Sequence, residues 1–380
     1  MKKLFFIVAY SYFPLYPAST IDPKVTKEEI IEYEHKLISG NTLEVIATSG
    51  KISISGWDKE TIYVRATKRA PEKLLSSLNI EAHLTDTSAL IRTLSDPAPT
   101  YTYSYSFLFF NYSYTYTCPD GCMSVDYKIK IPRTTAIKIT STKNSPLRVK
   151  NIDHGVWIKN NKGDIKTDEI AGPLEIQTEN SDIQITDSNN KISLQVTHGD
   201  ISINNSLSVS IEGKNGNIDV NNVQGALAVK TKQGHIKANN IAQAATINVS
   251  QGDVYLTNVH GPIAIHSKRG YVKVQKAKSA CTITTVNGNI TLSQKSCKPE
   301  ENIDLQSTHG DIRLYILKHL DAHLKAETEG GAISLDRSLT EVYHVAQNVK
   351  NLDISLGKKD SQGSQVTVKT IDGNIKIASY

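Results

Sequence analysis

Apolar and polar residues alternate along most of the chain, in short runs separated by turn residues. A period of two is typical of a strand with one buried face. The runs recur about every 18 residues, and each repeat begins at a Gly-polar-Ile or Gly-polar-Val triplet. The triplets begin at Gly163, Gly199, Gly216, Gly234, Gly252, Gly270 and Gly288, and Ser145 and Ser181 take the same place in two further repeats.

Each repeat is predicted to contain two short strands. Its positions are numbered from the Gly, which is position 1. Positions 3 and 5 are mostly apolar, as at Ile201 and Ile203, and so are positions 12 and 14, as at Leu227 and Val229. One repeat cannot bury these residues by itself, whereas stacked repeats share a continuous core. The sequence therefore predicts an all-β protein, a parallel β-solenoid with coils of about 18 residues, preceded by β-strands and an aromatic hairpin insert.

Two further positions of the repeat carry polar residues at predicted turns. Asn recurs at position 7, where the backbone needs a left-handed conformation that Asn tolerates, and we interpret this column as a structural ladder of amides. Asp recurs at position 2, and we interpret these residues as solvated turn carboxylates. The position-2 residues are Asp164, Asp182, Asp200, Asp253 and Asp311.

The chain divides into three predicted parts. Residues 1–19 combine a basic start, a short apolar stretch and small residues, which is typical of a signal peptide. Residues 20–134 form an N-terminal β region with three strands within 40–69 and short helices at 21–39 and 71–78. Residues 135–380 form the β-solenoid repeat domain.

An aromatic insert occupies residues 97–122 of the N-terminal region. Nine aromatic residues fall within the 16 residues from Tyr101 to Tyr116, and they alternate with small polar residues. This pattern predicts a hairpin that reverses near Phe109. One interpretation is a binding surface, because Tyr offers rigid contact area with a polar tip; the other is a cap over an open solenoid end. The candidate binding residues are Tyr101, Tyr103, Tyr105, Phe107, Tyr112, Tyr114 and Tyr116.

Charge and cysteine content add two expectations. The net charge is +5 from 43 basic and 38 acidic residues, without a run of five like charges, so we expect no nucleic-acid partner and at most a weakly basic surface. Four cysteines fit an oxidising compartment. Cys118 and Cys122 flank a Pro-Asp-Gly turn and form one candidate disulfide, and Cys281 and Cys297 form a second. No zinc site is expected from this spacing.

Three segments carry a family resemblance. They are residues 49–68, residues 125–132 and the serial Gly-Asp-Ile repeats, which together resemble the bacterial β-repeat domains known as putative adhesins. The similarity extends over roughly residues 38–380, apart from the Tyr-rich insert. It implies an envelope β-solenoid and supplies no catalytic residues.

The residues do not indicate catalytic chemistry. We find no Ser-His-Asp or Cys-His set, and the regular coils lack the insertions from which clefts are usually built. We therefore expect a non-enzymatic, adhesin-like binding or structural module, periplasmic, outer-surface or secreted, without a cofactor, a metal or a membrane span after signal removal. Its expected partner is a glycan or an envelope protein. The alternative is a polysaccharide-acting enzyme on a β-helix scaffold, which would require paired carboxylates on a coil with an insertion.

Overall fold

The computed structural model of the protein describes residues 26–38, 40–95, 100–107, 110–117, 122–296, 298–318, 320–336, 339, 349–356 and 363–379. Strands dominate these ranges, and a 3-10 helix spans Glu72–Ser77. The N-terminal strands are β1 (Thr26–Lys36), β2 (Thr42–Ala47), β3 (Ile52–Trp57), β4 (Thr61–Pro71), β5 (Leu78–Leu84), β6 (Ser88–Ser95), β7 (Thr100–Phe107), β8 (Phe110–Thr117) and β9 (Ser124–Pro132).

The repeats supply the central strands. They are β10 (Ala136–Asn144), β11 (Leu147–Ile152), β12 (Val156–Lys162), β13 (Ile165–Ile170), β14 (Leu174–Asn180), β15 (Ile183–His198), β16 (Ile201–Asn215), β17 (Ile218–Val223), β18 (Leu227–Gln233), β19 (Ile236–Ile241), β20 (Ala245–Gln251), β21 (Val254–Val259), β22 (Ile263–Arg269), β23 (Val272–Ala277), β24 (Cys281–Asn287) and β25 (Ile290–Gln294). The C-terminal strands are β26 (Ile303–His309), β27 (Ile312–Ile316), β28 (Ala322–Thr328), β29 (Ile333–Leu335), β30 (Asn351–Leu356), β31 (Ser364–Asp372) and β32 (Ile375–Ser379).

Strand pairing builds two long ladders, which we call sheet one and sheet two. Sheet one runs β1-β4-β9-β3-β11-β13-β15-β16-β17-β19-β21-β23-β25-β27-β32-β29. Sheet two runs β5-β6-β2-β10-β12-β14-β15-β16-β18-β20-β22-β24-β26-β31-β28-β30. The long strands β15 and β16 each contribute to both sheets. This architecture confirms the predicted β-solenoid.

The core lies between the two sheets. Ile201, Ile218, Ile236 and Val254 pair in register and are all buried, as position 3 of successive coils requires. Pairing mostly advances by 18 residues per coil, as from Ile165 to Ile183 to Ile201. Since each coil adds its aliphatic residues to the same columns, the stack buries what one coil could not.

The turns stack as closely as the strands. A Cβ atom at Gly216 would lie 1.9 Å from the carbonyl oxygen of Gly199 in the previous coil, and the φ angle of Gly216 is +141°. A side chain is therefore excluded by both space and backbone conformation. This explains why Gly recurs at position 1.

Both ends of the stack depart from chain order. At the N-terminal end, the coil made by β2 and β3 lies between the coil of β6 and β9 and the coil of β10 and β11. At the C-terminal end, β31 and β32 lie between the coil of β26 and β27 and the coil of β28 and β29. Antiparallel strands β1, β4, β5 and β30 then complete the sheets.

The helix predicted for residues 21–39 is wrong over its described part, where β1 is an edge strand. Strand β1 pairs with β4, and Glu28, Glu29 and Glu32 stand opposite Arg69, Lys68 and Arg65. Lys68 Nζ lies 3.3 Å from Glu29 Oε2, and Arg69 Nε lies 2.6 Å from Glu28 Oε1. Cross-strand pairing with a distant segment thus overrides the local helical preference of this sequence. The helix predicted near 71–78 corresponds to the 3-10 helix.

Candidate functional site

The position-2 side chains link one coil to the next. Asp182 Oδ1 accepts a hydrogen bond from the backbone N–H of Asp200 at 2.8 Å, and Asp200 Oδ1 accepts one from Asn217 at 2.7 Å. Further along, Asp253 Oδ1 accepts a bond from the N–H of Tyr271 at 2.8 Å. These carboxylates satisfy backbone donors at the turns, so their repetition has a structural cause.

The position-7 asparagines form a second ladder. Asn222, Asn240 and Asn258 have φ angles of 57–59°, within the left-handed region. Asn240 Nδ2 donates to Asn222 Oδ1 at 2.9 Å, and Asn258 Nδ2 donates to Asn240 Oδ1 at 2.8 Å. The amide column therefore spans coils as a structural element, in agreement with its interpretation from the sequence.

The described part of the chain contains neither a cluster of metal-ligating side chains nor a helix that could span a membrane. No group of three or more His, Cys, Asp or Glu side chains there is arranged to hold a metal ion. The described helices include none that is long and apolar enough to cross a membrane.

The predicted Tyr-rich insert forms an antiparallel hairpin in its described residues. Strands β7 and β8 pair with each other in a separate two-stranded sheet. Their backbone register sets Tyr101 opposite Tyr116, Tyr103 opposite Tyr114, Tyr105 opposite Tyr112 and Phe107 opposite Phe110. The structure therefore brings all seven candidate binding residues into one ribbon. Their roles in capping or binding stay predictions.

The two candidate disulfides also stay predictions. Cys118 and Cys297 lie outside the described residues, as do residues 1–19 with the predicted signal peptide. Cys281 is buried at the start of β24, in the column that holds Ile263 and Ile303.

A long polar groove runs along the outer face of sheet two. It crosses nine strands, from β10 to β24, with a volume of about 1020 Å³. At a strand spacing of about 4.8 Å, it extends for roughly 40 Å. Positions 15 and 17 of successive coils form its walls, and the mostly buried position 16 forms its floor. Position 15 supplies Lys159, Gln177, Gln195, Lys230, Asn248 and His266, and Glu212 takes the same place in the coil from Gly199, which is one residue shorter.

The groove was not predicted from the sequence, although the sequence contains a signal for it. Polar residues at positions 15 and 17 flank position 16, as in Lys230-Thr231-Lys232, in which the central Thr is buried. The groove becomes apparent only when the coils align these triplets. Its carboxylates are Glu179 and Glu212, and Glu212 Oε1 lies 2.9 Å from Lys230 Nζ.

The family is assigned from the part of the sequence that forms the coils. The model of the Toastrack DUF4097 family matches residues 121–260 and again residues 242–378. These matches cover more than half of the sequence. The chain belongs to the Toastrack DUF4097 family.

Two solved structures resemble this Toastrack chain. One is a "putative cell adhesion protein" from Clostridium sporogenes, with 11% sequence identity, a TM-score of 0.19, and coverage of 94% of this chain and 100% of that chain. The other is a "putative adhesin" from Bacteroides fragilis, with 10% identity, a TM-score of 0.21, and coverage of 93% and 97%. No curated protein matches the sequence.

The Toastrack matches leave the hairpin out. Strands β7 and β8 end at Thr117, before the first matched residue, 121. The polar groove, in contrast, lies within the matched range along its whole length. The hairpin is thus an addition to the part of this chain that the family model recognises.

Proposed function

We propose that this protein is a non-enzymatic, adhesin-like module of the cell envelope or the secreted fraction, and that its polar groove binds an extended glycan chain. The observation that carries the proposal is the continuity of the groove across nine adjacent strands. An open channel of this length accommodates a polymer rather than a compact metabolite. Its walls present amides, hydroxyls and ammonium groups, which hydrogen-bond to sugar hydroxyls.

A glycan-array screen of the purified chain tests this function. Gln195 lies near the middle of the groove, so Gln195→Trp should obstruct it and weaken binding at least tenfold. Gln275 is exposed on β23 of sheet one, outside the groove, and Gln275→Trp is the matched control that should bind as the wild type does. Binding to protein ligands alone, or equal loss in both variants, would contradict a glycan-binding groove.

Incubating the purified protein with the glycan that it binds distinguishes binding from hydrolysis. The bound glycan should keep its length on prolonged incubation, because Glu212 is engaged by Lys230 and strand β15 separates it from Glu179, the other carboxylate of the groove. Shortened products that disappear in Glu179→Gln and Glu212→Gln variants would favour the enzyme alternative instead.

Export is a separate part of the proposal. Mature protein should lack the first 19 residues or a segment close to that length, and Cys118 should be joined to Cys122. Intact-mass measurement of native material, with and without reduction, checks both expectations. A chain that retains Met1 and four thiols would contradict placement outside the cytoplasm.

A further inference from the structure

A cluster of cations lies on the outer face of sheet one, away from the polar groove. We call it the basic face and define it by six side chains on four strands: Arg65, Lys128, Lys130, Arg148, Lys150 and Lys166. They alternate with buried neighbours such as Ile129 and Val149, so they project outward from the sheet. The whole chain has a net charge of only +5, which makes this concentration a local feature.

The basic face is organised around two small side chains. Ser53 of β3 has Lys128 on one side and Arg148 on the other, and both cations stand directly opposite it in the strand register. In the same way, Ser55 has Lys130 and Lys150 on its two sides. Two strand spacings separate the flanking cations, about 10 Å. The serines therefore form the floor of a shallow trough with positive walls.

An aromatic platform adjoins the trough. Lys59 Nζ and Lys130 Nζ lie 5.2 Å and 5.4 Å from the centre of the Trp57 ring. Trp57 Nε1 donates a hydrogen bond to the carbonyl oxygen of Thr61 at 2.8 Å, which fixes the ring. Beside the ring is a hollow of about 410 Å³, which is lined by Trp57, Tyr63, Lys59, Arg65, Lys128, Lys130 and one carboxylate, Glu34.

The cations of the basic face outnumber the nearby carboxylates, which include Glu34 in the hollow and Asp168 opposite Lys150. Arg65 Nε lies 3.8 Å from Glu32 Oε1, at the outer margin of the face. Within the described residues, the other five cations of the basic face form no ion pair with a carboxylate. Like charges held close together repel one another. An anionic ligand across the trough would relieve that repulsion.

We propose that the basic face binds an acidic polysaccharide, with its carboxylate or sulfate groups between the cation rows and one sugar ring against Trp57. Aromatic rings pack against the apolar face of a sugar, and Lys and Arg supply charge-assisted hydrogen bonds to its anionic groups. Cations on adjacent strands, such as Arg65 and Lys128, lie about 5 Å apart, and cations on opposite sides of a serine lie about 10 Å apart. Proteins that bind single nucleic-acid strands stack successive bases on aromatic rings along a basic groove. The trough has serines along its floor and aromatic rings only beside it, so an acidic glycan fits it better.

The test uses the full chain and three probes. They are a fluorescent oligogalacturonate, the same oligomer with its carboxylates methyl-esterified, and a single-stranded oligonucleotide of equal charge. We expect binding of the acidic oligomer that weakens with salt, and at least tenfold weaker binding of the ester. The double variant K128Q/R148Q should weaken oligogalacturonate binding about tenfold, and Trp57→Leu should weaken it severalfold.

A matched control has the same change in charge elsewhere on sheet one. The double variant K237Q/K273Q removes two cations from β19 and β23, several strands from the trough, and should leave affinity within twofold of wild type. Equal losses in the two double variants would overturn the basic face as a site. Absent oligogalacturonate binding by folded protein, equal binding of the ester, or tighter binding of the oligonucleotide would each overturn the proposal.

The basic face and the polar groove are tested independently. Gln195→Trp should leave oligogalacturonate affinity unchanged, because it alters only sheet two. Loss of array binding in that variant concerns the proposed function, whereas the effect of K128Q/R148Q concerns the basic face. Melting temperatures of all variants, measured alongside, identify any that fail to fold.

Discussion

Single residues at the turns hold successive coils together. At Gly216, position 1 leaves no space for a side chain. Position 2 accepts a backbone hydrogen bond from the next coil, and position 7 holds a residue in the left-handed conformation that joins an amide ladder. Each contact recurs coil after coil. Their contributions therefore accumulate along the stack.

Substitutions at Asn222 separate backbone conformation from the amide ladder. Asn222→Gly keeps the left-handed conformation accessible but removes the hydrogen bonds to Asn205 and Asn240, at 3.0 and 2.9 Å. Asn222→Ala removes the same bonds and adds a conformational penalty of about 1 kcal/mol. We expect Asn222→Ala to be the less stable variant in urea unfolding. Equal stability of the two would show that the penalty imposed on Ala by the φ angle of 59° is no larger than the extra backbone entropy that Gly loses on folding.

Tyr127 gives the fold a specific sensitivity to alkali. It is buried, and its hydroxyl hydrogen-bonds to that of Thr93 at 2.7 Å. Burial raises the pKa of Tyr127 to about 12. The unfolded chain loses this proton near pH 10 while the folded chain keeps it, so stability falls as pH rises from about 10 to 12.

The Tyr127→Phe variant tests this linkage. It should be less stable than wild type near pH 8, since it loses a buried hydrogen bond worth about 1 kcal/mol. Between pH 8 and pH 11 it should lose less stability than wild type does in urea unfolding. Parallel losses would mean that other groups dominate the alkaline response.

The hairpin of β7 and β8 is an element that takes no part in the stacked coils. Its pairing closes a ribbon outside both sheets, and its register aligns Tyr with Tyr along its length. A ribbon of two strands is marginal by itself. Packing against the coils or contact with a ligand would supply the missing stabilisation.

A quadruple substitution distinguishes these roles. Replacing Tyr103, Tyr105, Tyr112 and Tyr114 with Ser should lower the melting temperature if the hairpin caps, and abolish ligand binding without that change if it binds. We expect partial losses of both. The matched control replaces the intervening Thr102, Ser104, Ser113 and Thr115 with Ala. A Tyr variant equal to wild type in melting and in binding would exclude both roles.

The whole molecule is closed at each end by a coil placed out of sequence. At the C-terminal end, β31 and β32 separate coils that are consecutive in sequence. Removing them therefore takes a layer from within the stack. The apolar residues of β28, such as Leu324, would then lose the strand that pairs with them, in which Val366 lies opposite Leu324.

Two truncations test this arrangement. A chain that ends at residue 318 keeps a regular stack that finishes with β26 and β27, whereas a chain that ends at residue 363 keeps β28 to β30 without β31 and β32. We expect the longer chain to be cleaved by protease after residue 317 and the shorter chain to resist. If the chain that ends at residue 363 resists protease as well as the full chain does, the placement of β31 and β32 between the two coils is contradicted.

The coil repeat, its register, its apolar columns and its turn residues are all predictable from the order of residues along the chain. These features repeat about every 18 residues and depend on neighbours in the same or the next coil, so a single chain displays them as a period. The sequence also predicted the hairpin, because the alternation of Tyr with small polar residues is local. The folded structure was needed to show that β1 is a strand, that coils at both ends are out of chain order, and that a groove and a basic face exist. Each of these depends on which distant strands become neighbours, as when β3 places Ser53 between Lys128 and Arg148.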